Sequence, residues 1–100
     1  MTPDEFRQAG HRLIDWIADY RSGLADGPVL ARTGPGEVAA GLPAEAPTET
    51  VELDEVLALL DRVVVPGVTS VQHPMHFGWF PSNASLASVL GDIALSLIHI

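Results

Sequence analysis

Along the first two dozen positions, apolar residues recur at steps of three and four: Phe6, Leu13, Ile14, Ile17, Tyr20 and Leu24, with Ala9 and Gly10 on the same face. That period predicts an amphipathic helix over about 3–22. Its start is written locally. Thr2 can cap, Pro3 suits the first helical position, and Glu5 completes a capping box while opposing the helix dipole. Arg21 and the glycines Gly23 and Gly27 close it. A second stripe, Val56, Leu57, Leu60, Val63 and Val64, predicts a helix over about 53–64, stopped by Pro66-Gly67. A third, Leu86, Val89, Leu90 and Ile93, predicts a helix over about 83–94.

Between the first two stripes, residues 27–50 carry four prolines and four glycines and no period. Compact domains rarely tolerate an unstructured connection longer than about 12–15 residues. The stretch therefore predicts an extended strap lying across another surface rather than the turn of a bundle. Three stripes on long, stiff connections predict a mostly α chain that forms part of a larger assembly. The alternative is a small acidic helical module with its own core, whose stripes bind a partner helix.

Charge narrows the partners. The formal net charge is −8, carried against five arginines and no lysine. Such a surface lacks a basic footprint for nucleic acid and is repelled by anionic membranes. No apolar run reaches the ~18 residues of a membrane span. The start, MTPDEF, lacks the layout of a signal peptide, and cysteine is absent, so a cytoplasmic protein is expected.

Chemical variety is concentrated in one irregular segment, "HPMHFGWFPSN", residues 73–83. His73 and His76 form an H-x-x-H, but zinc prefers three or four ligands, no acidic residue is near in sequence, and Pro74 breaks the helical spacing. No metal is expected, and both histidines are read as hydrogen-bonding backbone in a loop with few ladder partners. His11 falls on the polar side of the first helix and His99 near the last residue. Two readings of Trp79, Phe80, Pro81 and Ser82 stay open. In one, the rings are core and Ser82 is an N-cap, with Asn83 and Ser85 in reserve. In the other, the helix N-terminus and the Ser82 hydroxyl receive a carboxylate while the rings grip an apolar body beside it. The segment would then be one wall of an amino-acid pocket, with no nucleophile–base pair of its own.

The order of several motifs resembles the N-terminal segment of the group II pyridoxal-phosphate-dependent amino-acid decarboxylases, the family of aromatic-L-amino-acid, tyrosine and tryptophan decarboxylases. The matching pieces are "EFRQAGHRLIDWIADY", "GPGEV", "LPAEAP", "VVVPGVTSVQHP" and "HFGWFPSNASLASVLGDIA", which together span residues 4–94. The resemblance implies an N-terminal helical segment of a fold-type I α/β enzyme, residues 1–94, that clasps the partner subunit of a homodimer. It implies that Trp79, Phe80 and Pro81 line the substrate side-chain pocket and that Ser82 meets the substrate carboxylate. Met75, His76 and Trp79 depart from the family's usual residues, which leaves the substrate unspecified. The resemblance also implies pyridoxal phosphate held by a lysine as a Schiff base, the cofactor serving as electron sink when CO₂ leaves. This chain has no lysine, so catalytic and cofactor-binding residues are expected outside it.

After Ala94 the chain reads Leu95-Ser96-Leu97-Ile98-His99-Ile100. LSLIHI resembles the translation of a sequencing-library adaptor, so residues 95–100 are expected to be non-native. The alternative is a helix that simply continues, since Leu97 is in phase with Ile93.

Overall fold

Thr2 and Glu5 close on one another as their spacing demands. In a computed structural model, which describes residues 1–79 and 85–98, the Glu5 N–H donates to Thr2 Oγ1 at 3.2 Å and the Thr2 N–H donates to Glu5 Oε2 at 2.6 Å. Two of the backbone donors that a helix start leaves without intrahelical partners are thereby satisfied. Helix α1 follows over Pro3–Gly23, with an Arg7–Asp4 ion pair in its first turn, and tightens into a 3₁₀ turn at Leu24–Asp26.

The strap is not wholly irregular. A short helix, α2, runs over Glu37–Gly41, preceded by Gly36 at φ 84°. Only glycine takes that left-handed conformation without penalty, and here it turns the chain into the helix. The rest of the strap, as expected, has no regular structure. Periodicity could not announce a helix of this length, because five residues hold barely more than one turn.

Helix α3 covers Leu53–Leu59, but the expected span to 64 is not one regular helix. Residues Leu60–Val64 form a π-helical turn, and Val65–Gly67 a 3₁₀ turn. A single helical path thus runs from 53 to 67 with three different pitches. α1 packs on its first part and α2 on the π turn.

Contacts between these elements are of two kinds. On the α1 side they reach outward through polar tips: Arg12 Nε donates to Asp54 Oδ1 at 2.8 Å and Trp16 Nε1 donates to Asp61 Oδ1 at 2.9 Å. Trp16 also stacks on Tyr20, with centroids 5.7 Å apart and planes 6° from parallel. On the α2 side they are steric. A Cβ on Gly41 would lie 2.8 Å from Cγ1 of Val63, and one on Gly67 would overlap Cγ2 of Val38. Each backbone receives the other's valine.

Helix α4 runs over Leu86–Ile98, starting later than the expected 83 and passing beyond 94. Ser85 caps it, its Oγ accepting from the Ser88 N–H at 3.1 Å, so the capping task offered to Ser82 is carried out three residues on.

Apolar side chains are poorly covered. Among the described hydrophobic residues only Leu57, 8% exposed, is buried, and others such as Leu13, Ile17, Leu60 and Val63 are half-buried. Phe6 and Ile14, two members of the first stripe, are exposed, as are Leu86, Leu90 and Ile93 of the third. The Cα radius of gyration is 15.5 Å, where a compact domain of this length has about 13 Å. A self-standing core is therefore not what holds these elements. Among the described residues no helix is long and apolar enough to cross a membrane.

Candidate functional site

The irregular segment is organised by one imidazole. His73 is 8% exposed, the sole buried polar residue among those described. Its Nε2 faces the carbonyl of Ala25, at the end of the first helical unit, at 3.3 Å. Its Nδ1 accepts from the Met75 N–H at 2.9 Å. An acceptor at Nδ1 requires the proton on Nε2, so the ring is the Nε2–H tautomer donating to Ala25. One side chain thus ties residue 73 to a backbone 48 positions earlier while turning its own chain. The expectation that His73 bonds loop backbone is met at both nitrogens.

Backbone bonds complete the turn. The Ser70 N–H reaches back to the Val29 carbonyl at 2.8 Å, joining the segment to the strap's first residues. The His73 N–H donates to Ser70 and the His76 N–H to His73, each at 2.9 Å. Tyr20, Leu24, Pro28, Val65 and Val68 enclose an apolar recess of about 310 Å³ beside this junction.

His76 departs from its expected role. Its Nδ1 is buried and has no hydrogen-bond partner, so it does not serve the loop backbone through that atom. Instead its ring lies over Gly78: a Cβ there would meet His76 Cε1 at 2.9 Å.

Beyond this turn the rings point outward. Phe77 is 81% exposed and Trp79 83%, with Met75 exposed beside them. Of the four residues predicted for a substrate wall, the structure therefore describes Trp79 alone. Phe80, Pro81 and Ser82 lie outside the described residues, as do Asn83 and His99. His11 is exposed on α1. Among the described residues no group of three or more His, Asp or Glu is placed to hold a metal. A second, larger feature was not foreseen. An open groove of about 800 Å³ runs between strap residues Leu42–Pro47 and the Val56, Leu59 and Arg62 side of the helical path. Its signal in the sequence was the exposed alternation of Pro and Ala in LPAEAP, facing Val56, which the second stripe had assigned to a covered face.

No family model matches the chain. Individual relatives do. Tryptophan decarboxylase 2 of Oryza sativa subsp. japonica is 35% identical over 100 residues, covering all of this chain and 20% of the relative. Phenylacetaldehyde synthase of Arabidopsis thaliana is 40% identical over 93 residues, 93% of this chain and 19% of the relative. The crystal structure of Oryza sativa TDC with PLP and tryptamine superposes with a TM-score of 0.88 at 34% identity, covering 98% of this chain and 21% of that one. The chain spans about a fifth of the length of the relatives it matches.

Proposed function

The chain belongs to the group II pyridoxal-phosphate-dependent amino-acid decarboxylase family, and from that premise we propose that it is the clasping N-terminal part of an enzyme that removes the α-carboxylate of an aromatic L-amino acid. The fold is that family's N-terminal helical segment. In the reaction the bond from Cα to the carboxylate breaks, CO₂ leaves, and a proton takes its place on Cα to give the amine.

Pyridoxal phosphate is the family's cofactor, and the residues of this chain do not fit it. No lysine is present to hold it, and the one buried imidazole, His73, is engaged at both nitrogens. The chain alone is inactive on this reading; mixing it with pyridoxal phosphate should give no lysine-linked cofactor absorbance, and such a band would contradict the assignment.

One observation carries the clasp: elements with defined caps and turns leave many apolar residues exposed or half-exposed, with Leu57 the one buried among those described. Large exposed apolar surface on an ordered scaffold marks a contact surface. We read that surface as the seat of the rest of the enzyme and of a second subunit, in a cytoplasmic homodimer. Trp79, Phe80 and Pro81 then shape the side-chain pocket, and Ser82 orients the carboxylate.

The test is made in the intact protein. Ser82→Ala should lower kcat/KM by on the order of tenfold or more, the loss of one charge-assisted hydrogen bond, with its melting midpoint unchanged. Unchanged kinetics would remove Ser82 from the site. A second reading comes from a phenylacetaldehyde synthase that is 40% identical, as is a tyrosine decarboxylase: the enzyme carries the substrate to an aldehyde instead of an amine, consuming molecular oxygen and water and releasing CO₂, ammonia and hydrogen peroxide. Product analysis after incubation with L-phenylalanine, L-tyrosine and L-tryptophan separates the two.

A further inference from the structure

We propose that His76 is a positioning residue: the body of its ring fills the space a side chain at position 78 would need, and so directs Trp79. The proposal rests on the pocket reading just given, and three observations carry it. A Cβ at Gly78 would lie 2.9 Å from Cε1 and 3.1 Å from Nε2 of His76, so a side chain there would require the ring to move aside. The ring's Nδ1 is buried without a partner, so hydrogen bonding through that atom does not hold the ring in place. An unpartnered buried nitrogen opposes that placement rather than supporting it. Lastly, the ring is mounted on a fixed point. The His76 N–H donates to the carbonyl of His73, whose own imidazole is tied to Ala25 and to Met75.

The path from the end of α1 to Trp79 is therefore a chain of short constraints. His73 references the turn to α1, the turn delivers the His76 ring, and the bare backbone of Gly78 passes against that ring into Trp79. Within this chain Trp79 is 83% exposed, so none of its described neighbours fixes the ring by burial. The working part of His76 is its flat bulk. A phenyl ring should do as well, because an apolar group of the same shape removes the unpartnered nitrogen without opening a void. A methyl group should not.

The experiment uses the intact protein labelled with fluorotryptophan, the Trp79 ¹⁹F line being assigned by its loss in Trp79→Phe. His76→Ala should shift or broaden that line and raise KM for an aromatic L-amino acid about tenfold, with kcat changed by less than about twofold. His76→Phe should restore both. Gly78→Ala should shift the line too, and should cost less in a His76→Ala background, where the ring it collides with is gone. Gly78→Ala also serves as the second variant if His76→Ala does not accumulate. Equal impairment in His76→Phe and His76→Ala would overturn the proposal, since the nitrogens would then be the working part. An unmoved line and unmoved KM in His76→Ala would overturn it as well. A line that moves while KM stays constant leaves the wedge standing and sinks the pocket reading instead.

Discussion

The helical path from Leu53 to Gly67 is gripped from two sides, and the grips differ in kind. α1 holds it by polar tips, Arg12 on Asp54 and Trp16 on Asp61, all partly or largely exposed. α2 holds it by glycine against valine, with no slack at Gly67 and little at Gly41. Long side chains meeting in water make a compliant joint, because each can rotate and take a water molecule instead. A β-branched side chain laid on bare backbone makes a stiff one, because valine has few rotamers to retreat into.

The stiff joint should break hardest. Gly67→Ala places a methyl group where Val38 already sits, and should destabilise the docking of α2 by about 1–3 kcal/mol. Hydrogen exchange of residues 37–41 in the intact protein would show it as lost protection. Val38→Ala should recover most of that loss in the Gly67→Ala background; no recovery would mean the contact is not the cause. Gly41→Ala should act in the same direction by about 1 kcal/mol, since the collision with Val63 is milder. On the compliant side, Trp16→Phe keeps the stack with Tyr20 and loses the bond to Asp61. Its cost should be about 0.5–1 kcal/mol in a denaturant melt. Arg12→Ala should be the least felt, below about 1 kcal/mol and smaller still at high salt. If Arg12→Ala exceeded Gly67→Ala, the contrast between the two joints would be wrong.

The same division decides what the sequence could disclose. The start of α1 was legible because Thr2 and Glu5 are three residues apart and satisfy one another locally. The apolar stripes were legible as periods, but not which members would be covered. Phe6 and Ile14 are exposed, while Trp16, outside the stripe, reaches across to an acid 45 positions away. α2 and the π turn escaped for the same reason. Gly41 in the strap and Gly67 look like loop formers, but each has a valine from another element lying on it, and no local rule registers that.

At the candidate site, His73 was readable as a loop histidine bonding backbone, though its partner at Ala25 was not. His76 looked equivalent to it and is not, since its Nδ1 is left without a partner. The late start of α4 came from Ser85, which competes with Ser82 and Asn83 for the same capping role on equal chemical terms. Of the proposed pocket wall, Trp79 is exposed at the end of the turn, and Phe80, Pro81 and Ser82 fall outside the described residues.

Widening one turn at Leu60–Val64 resets the angular phase of every side chain after it, because i→i+5 bonding closes a ring one residue larger than that of an α-helix. The path thereby offers one azimuth to α1 and another to α2. It works as a cam, with two followers riding on different lobes. Anyone threading this stretch onto a regular helix by periodicity alone will arrive at Pro66-Gly67 rotated by a whole residue, with Gly67 turned away from the valine it exists to receive.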